Sequence, residues 1–286
     1  EHRVFYPHEE FSRKSHVKSM KEYSKIYKKS IENPEKFWAE RAEQLEWFRK
    51  WDVVFRNDMG FFKWFEGGQI NVSYNCLDRI IKAGKGKKIA YIWESESGET
   101  KTYTYEQLLK EVCKFANVLR KKGVQRGQVV EIYLPMIPEL PIAMLACARI
   151  GAIHSVVFAG FSSDSLKDRI QDSNAQLLVT ADGSFRGGKV VPLKENADIA
   201  LKDCPSIKNV VVVKRAENNV SMLNGRDFWW DDLINENDIA DFCEPQSLHS
   251  EESLFILYTS GTTGKPKGIL HTQAGYLLFV NQTFKY

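Results

Sequence analysis

The chain has 286 residues and a formal net charge of +3, from 40 Lys and Arg against 37 Asp and Glu. Hydrophobic residues make up 43% and charged residues 27%, which is ordinary for a globular protein and excludes a disordered or low-complexity chain. The charge excess is too small to predict nucleic acid as a partner. No apolar stretch reaches the roughly 18 residues of a membrane span, so the sequence predicts no membrane partner.

The cysteines indicate a reducing compartment. Their number is odd and they are widely spaced, which argues against a disulfide framework, a zinc ribbon or a redox pair. The first residues lack the apolar core of a signal peptide. We therefore expect reduced thiols in a cytoplasmic protein. The five are Cys76, Cys113, Cys147, Cys204 and Cys243.

Residues 1–76 form a first region that is rich in charged and aromatic residues, and we expect it to be helical. From Arg13 to Lys29 the sequence has seven Lys or Arg and one Glu. This pattern fits either a contact with an anionic surface or the solvated face of an amphipathic helix, and we favour the second. A second helix is predicted to start at Asn33-Pro34, an N-cap followed by proline. Its expected packing residues are Phe37, Trp38, Leu45, Trp47 and Phe48.

Strands and helices alternate over most of residues 77–286, the second region. Short, unbroken apolar runs are typical of buried parallel strands, and Thr104 with Gln107 has the spacing of a capping box. The sequence therefore predicts an α/β fold, with parallel-sheet layers flanked by helices. The predicted strands are 88–94, 100–104, 129–134, 153–158, 176–181, 208–214 and 254–258, and the predicted helices are 105–122, 138–150, 164–173 and 192–202.

The segment Thr259–Gly268 carries the clearest chemistry in the chain. Its ten residues include four hydroxyls, three glycines and two lysines, directly after an apolar strand. Such a segment can surround a polyphosphate with backbone N–H groups, hydroxyls and positive charge. It is not a Walker loop, because Thr259 and Pro266 stand where that pattern needs Gly and Ser or Thr. A flexible surface loop is the alternative, but its place after a buried strand favours a ligand site.

This segment resembles the phosphate-loop signature of the adenylate-forming superfamily, which includes acyl-CoA synthetases, peptide-synthetase adenylation domains and luciferases. The resemblance implies that the loop binds the β- and γ-phosphates of ATP and the leaving pyrophosphate, together with Mg²⁺. The residues implied are Thr259, Ser260, Gly261, Thr262, Thr263, Gly264, Lys265 and Lys267.

Three further stretches look like AMP-forming acetyl-CoA synthetases, and the resemblance covers the chain from about Tyr23. The first is 63–79, where Ile80 follows in place of the family's common His. The second is 154–162, with Ala159 where Gly is frequent. The third is 184–194, with Lys189 where Arg is often found. Lysine at that position keeps the positive charge but loses the forked geometry of a guanidinium.

The third stretch implies a coenzyme A site. By resemblance, Arg186, Gly187, Gly188 and Lys189 grip the phosphate end of coenzyme A, and Phe158 with Gly160 faces its adenine. From the residues alone, 186–189 is an ordinary charged turn, and Phe158 is equally well a core residue. We assign no role to His271, which follows the phosphate loop.

The reaction implied is the ATP-dependent activation of acetate to acetyl-CoA through acetyl-adenylate, with release of AMP and pyrophosphate. The expected partners are acetate, ATP and coenzyme A, and the oligomeric state is not predicted. We expect no catalytic residue and no metal ligand within this chain. The family's acyl and adenine pocket, ribose-binding Asp, hinge and catalytic Lys lie beyond the position of Tyr286. We therefore expect an incomplete AMP-binding domain over 77–286, no C-terminal domain, and no activity from this chain alone.

Other functions remain open at this stage. The acid could be propionate or another short-chain acid, because the residues of the acyl pocket are not in the chain. A non-catalytic fragment that binds coenzyme A or phosphate is a second alternative. A third is an anionic polymer bound through residues 13–29, which predicts an affinity that falls steeply with salt.

Overall fold

The structure, a computed structural model, describes residues 3–259 and 266–286. The chain divides into two compact units. The first contains the residues up to Ile70, His249–Glu251 and Gln273–Tyr286; the second contains Asn71–Leu248 and Glu252–Thr272. Among the described residues, no helix is both long and apolar enough to cross a bilayer.

The α-helices of the described residues follow the sequence patterns closely in the second unit. In chain order they are α1 (Glu9–Lys14), α2 (Met20–Glu32), α3 (Pro34–Ala42), α4 (Val72–Cys76), α5 (Asp78–Ile80), α6 (Tyr105–Lys121), α7 (Glu139–Ile150), α8 (Ser163–Ser173), α9 (Leu193–Leu201), α10 (Trp230–Ile234) and α11 (Gln273–Lys285).

The strands of the described residues are short, and the most buried of them lie in the second unit. In chain order they are β1 (Val53–Asp58), β2 (Phe61–Glu66), β3 (Gln69–Ile70), β4 (Ile89–Glu94), β5 (Thr100–Thr104), β6 (Val129–Tyr133), β7 (Ile153–Val156), β8 (Leu177–Ala181), β9 (Ser184–Arg186), β10 (Lys189–Val191), β11 (Asn209–Val213), β12 (Asp227–Trp229), β13 (Leu248–His249), β14 (Ser253–Thr259) and β15 (Lys267–Thr272).

The first unit differs from the helical region expected for residues 1–76, because it also contains the antiparallel hairpin β1–β2. Helix α3 starts at Pro34 as predicted, and the Asn33 side chain accepts a hydrogen bond from Lys36 N at 3.1 Å. It ends at Ala42, so the later aromatic residues that were predicted on it lie outside it. One of them, Trp47, packs edge-on against Trp51 with ring centroids 5.0 Å apart. The aromatic richness therefore serves packing in loops and a hairpin as well as in a helix.

Helix α2 carries the basic residues and has no buried residue on either side. Ser19 caps it, accepting a hydrogen bond from Glu22 N at 3.2 Å. Among the described residues, its apolar side is as open to solvent as its basic side, with Met20 74% and Ile31 64% exposed. The structure therefore does not show the buried apolar side of the amphipathic helix that we favoured, and the solvated basic face stays a prediction.

The second unit is built on one sheet with strand order β12-β11-β8-β6-β7-β14-β15. All neighbouring strands are parallel except β14 and β15, which pair antiparallel. Every residue of β6 and β8 is buried, as unbroken apolar runs predict. Thr104 and Gln107 form the predicted capping box at the start of α6. The predicted α/β class, with a parallel sheet flanked by helices, is confirmed.

The strand order creates a switch point at the carboxyl ends of β6 and β8. These strands are neighbours, but the chain leaves β6 towards β7 on one side and leaves β8 towards β11 on the other. Connections that depart in opposite directions open a crevice between the two strand ends, and open α/β sheets bind ligands in such crevices.

The first of the three family-like stretches has a structural role at its end. The Asn71 side-chain amide donates to the carbonyls of Ala148 and Gln246, both at 3.0 Å. The buried Arg149 guanidinium makes a two-point ion pair with Asp78 at 2.8 and 3.0 Å. The Asn71 amide thus donates to carbonyls in the last turn of α7, where no following turn of helix supplies N–H donors.

Candidate functional site

A cavity of about 310 Å³ opens at the switch point. Its wall is formed by residues that directly follow β6, β7 and β8, together with residues of the β4–β5 hairpin. The lining residues are Trp93, Glu94, Ser95, Glu96, Pro135, Met136, Ile137, Phe158, Ala159, Gly160, Ser184, Phe185, Arg186, Val191 and Arg215. Three of the residues predicted to contact coenzyme A therefore line one cavity: Phe158, Gly160 and Arg186.

These three residues also touch one another. Arg186 Cζ lies 5.5 Å from the centroid of the Phe158 ring, which is a cation–π distance. Phe158 is 56% exposed and is therefore not a core residue in the described chain. A Cβ added to Gly160 would clash with both the Phe158 ring and the Arg186 guanidinium. The glycine thus lets a ring and a cation converge on one wall, which is suitable for a flat aromatic group next to an anion.

The predicted phosphate grip 186–189 is the tip of the β9–β10 hairpin. Gly187 and Gly188 have φ of 58° and 72°, the backbone of a tight two-residue turn that favours glycine. Arg186 and Lys189 face each other in the register of the hairpin, and both are exposed. The turn therefore presents two cations beside a glycine backbone that carries no side chain.

Glu96 and Arg215 also line this cavity, and the sequence did not predict either of them. Glu96 Oε1 accepts a hydrogen bond from Gly188 N at 2.8 Å. The Arg215 guanidinium lies over the rings of Trp93 and Phe185, at 5.1 and 5.2 Å. The sequence places Glu96 in a predicted hairpin turn, but no sequence signal brings that turn to the tip of another hairpin 92 residues later.

The predicted ATP phosphate loop lies mostly outside the described residues: Ser260, Gly261, Thr262, Thr263, Gly264 and Lys265. Its two flanks are described. Thr259 is the last residue of β14 and pairs with Lys267, the first residue of β15. The segment therefore connects two paired strands and follows the carboxyl end of a strand that is parallel to β7, as expected for a ligand loop.

A second cavity, of about 300 Å³, adjoins the start of that loop. Its lining includes Arg169 and Asp172 of α8, together with Tyr258 and Pro266. The Tyr258 hydroxyl donates to Asp172 Oδ2 at 2.7 Å. Burial and the nearby carboxylate both raise the pKa of Tyr258, so the hydroxyl stays a donor at neutral pH. This contact fixes the residue that precedes the predicted loop.

His271, to which we assign no role, lies in β15 and stacks on Phe255 at 4.5 Å between ring centroids. His154 stacks on the same phenyl ring at 5.4 Å. Both histidines are therefore part of one aromatic stack across neighbouring strands.

A sequence profile described as AMP-binding enzyme matches residues 79–286. The chain belongs to this family. A second profile, described as acetyl-coenzyme A synthetase N-terminus, matches residues 23–76. The family resemblance inferred from the phosphate loop and the three further stretches is thereby confirmed.

Curated relatives support the same family. The chain is 55% identical over 282 residues to an acetyl-coenzyme A synthetase of Rubrobacter xylanophilus, covering 98% of this chain and 43% of the relative. It is 49% identical to one of Bdellovibrio bacteriovorus, covering 100% of this chain and 44% of the relative. The chain therefore spans less than half the length of the curated relatives it matches.

A solved structure shares the fold. Acetoacetyl-CoA synthetase from Streptomyces lividans superimposes with a TM-score of 0.83 at 26% sequence identity. The match covers 92% of this chain and 40% of that one.

Proposed function

We propose that this chain is the part of an acetate-activating enzyme that binds coenzyme A and the phosphates of ATP. In the first half-reaction, an acetate oxygen attacks the α-phosphorus of ATP, the bond from that phosphorus to pyrophosphate breaks, and acetyl-adenylate and pyrophosphate are formed. In the second, the thiol of coenzyme A attacks the acetyl carbonyl, AMP leaves, and acetyl-CoA forms with loss of the thiol proton.

The observation that carries this proposal is the cavity at the switch point. It brings Phe158 and Gly160, from one segment of the sequence, together with Arg186 from another, and the resemblance links all three to coenzyme A. The Phe158 face and the unsubstituted Gly160 suit a purine ring, and Arg186 with Lys189 suits its phosphates. The names of the relatives support acetate as the acid.

In this proposal the chain contributes binding and charge, since the activated intermediate forms on the substrate and needs no side-chain nucleophile. Coenzyme A held by its nucleotide end is restricted in where its thiol can reach, which favours the second half-reaction by proximity. Thr259, Lys267 and the segment between them are proposed to hold the ATP phosphates, where positive charge and N–H donors stabilise developing negative charge.

Mg²⁺ is proposed to accompany the nucleotide, because this ion is commonly held by substrate phosphates and water with few protein ligands. Within the described ranges, no group of three or more His, Cys, Asp or Glu side chains is close enough to hold a metal ion. A cytoplasmic location is part of the proposal, since the five cysteines are all free thiols.

The experiment that tests the function is pyrophosphate–ATP exchange by the full-length gene product, with acetate, propionate, acetoacetate or no acid. We expect exchange that depends on acetate, followed by AMP and acetyl-CoA formation when coenzyme A is added. A stronger response to propionate or acetoacetate would keep the mechanism and change the acid. A folded protein that binds coenzyme A but shows no exchange with any acid would contradict the proposal and favour a binding module.

A further inference from the structure

The tip of the β9–β10 hairpin has the chemistry of an anion site. Gly187 and Gly188 leave the backbone bare, and a Cβ added to either would meet no atom within 4 Å. Arg186 and Lys189 flank them, and no described carboxylate pairs with either cation. Backbone N–H groups of a glycine turn between two unpaired cations attract a negatively charged oxygen.

A carboxylate of the same chain already takes one of these donors. Glu96 Oε1 accepts from Gly188 N at 2.8 Å, and Glu96 is an exposed residue of the β4–β5 turn that also lines the cavity. A carboxylate and a phosphate make the same charge-assisted hydrogen bond to a backbone N–H. The side chain therefore stands where an oxygen of an anionic ligand would bind.

The Glu96 contact is not needed to hold the two hairpins together, because Arg215 does so independently. Its guanidinium pairs with Glu99 at 3.2 Å and lies over Trp93 of β4 and Phe185 of β9. Its backbone N–H donates to the buried Asp182 at 2.7 Å. Loss of the Glu96 carboxylate would leave these contacts in place, so the hairpins would keep their arrangement.

We propose that Glu96 is an internal competitor for the phosphate of the incoming cofactor at Gly188 N, and that it sets the affinity of the site for coenzyme A. A phosphate that enters between Arg186 and Lys189 displaces the carboxylate, which swings into solvent. The inference rests on the proposed function, since it takes coenzyme A as the occupant. The competing carboxylate weakens binding and so favours release of the acetyl-CoA product.

The test is steady-state kinetics of the full-length enzyme with Glu96→Ala and Glu96→Gln. Glu96→Ala frees Gly188 N and removes a negative charge, so the KM for coenzyme A should fall roughly threefold at an exposed site of this kind. Glu96→Gln keeps a neutral acceptor and should lower this KM less. The KM values for ATP and acetate should not change, and calorimetric titration with coenzyme A should show the same tightening.

Glu94→Gln is the matched control, because Glu94 lines the same cavity on the same hairpin without bonding to the turn. If loss of charge alone were responsible, Glu94→Gln would tighten coenzyme A binding as much as Glu96→Gln, and the proposal would be wrong. A rise in KM for coenzyme A in Glu96→Ala would also overturn it, since that result identifies Glu96 as a support for the hairpin. Failure of the proposed function is a separate result, because the unsubstituted enzyme would then form no acetyl-CoA.

Discussion

Two lysines five residues apart in the same family-like stretch have opposite environments. Lys189 is exposed at the hairpin tip, and no described carboxylate pairs with it. Lys194, in the first turn of α9, is completely buried and pairs with Asp198 at 2.7 Å and Asp227 at 2.9 Å. Lys194, with its carboxylate partners, serves the fold, and Lys189, for which the described residues offer no carboxylate, is the cation that we propose for a ligand.

The buried lysine, Lys194, belongs to a network of charged side chains that pair with one another. Arg226 bonds to both Asp198 and Asp227, and Lys194 also donates to the carbonyl of Ser221 at 2.8 Å. A buried ammonium loses the stabilisation of water and persists because these partners replace it. Removing one member leaves the remaining charges uncompensated.

Lys194→Met is therefore the substitution with the largest expected effect. It leaves Asp227 buried with one cation fewer, and we expect the free energy of unfolding to fall by about 3–5 kcal/mol. Urea denaturation followed by circular dichroism measures it. Lys189→Met is the matched control and should stay within about 0.5 kcal/mol of the parent protein. Equal losses in the two variants would contradict the distinction between the lysines.

Two further buried titratable groups, Glu131 and His154, lie on neighbouring strands of the sheet. Glu131 on β6 is buried, and burial raises its pKa to about 7, although the hydroxyls of Ser155 and Ser173 donate to it at 2.7 and 3.2 Å. His154 on β7 is buried against Phe255, and burial lowers its pKa to about 4. The two shifts have opposite consequences for stability.

Between pH 4.5 and 7 only the folded state keeps the Glu131 proton, so this group makes the protein less stable as pH rises. Between pH 6.5 and 4 His154 is protonated only in the unfolded state. This histidine therefore makes the folded protein less stable as pH falls. Each shift corresponds to about 3 kcal/mol at 1.36 kcal/mol per pKa unit. Across the shared range the two contributions offset each other.

Single substitutions should expose each contribution. Relative to the parent, Glu131→Gln should gain about 3 kcal/mol in unfolding free energy as pH rises from 4.5 to 7.5, because the destabilising ionisation is gone. His154→Gln should gain a similar amount of unfolding free energy, relative to the parent, as pH falls from 7 to 4. Urea denaturation at a series of pH values measures both. Curves parallel to that of the parent would show that folding does not shift the pKa of either group.

The difference between local patterns and contacts between distant residues explains what could be predicted from the sequence. The buried strands and the helix starts at Thr104 and Asn33 follow from local patterns, since apolar runs and capping residues act within a few positions. The partners of Lys194 could not be predicted, because Asp227 is distant in sequence and carries no motif. Glu96 was missed for the same reason. Phe158, Gly160 and Arg186 could be grouped only through the family resemblance.

Arg186, an exposed cation at the same hairpin tip as Lys189, gives the smallest expected change in free energy. Arg186→Ala removes the guanidinium beside Phe158, and we expect the KM for coenzyme A to rise about tenfold, which corresponds to about 1.4 kcal/mol. The unfolding free energy should not change, because Arg186 is exposed and has no described ion pair. Arg186→Lys should recover part of the affinity, since the charge returns without the planar fork. Steady-state kinetics of the full-length enzyme with coenzyme A varied at saturating ATP and acetate measures both. A large loss of stability with an unchanged KM would place Arg186 with Lys194 among the residues that serve the fold.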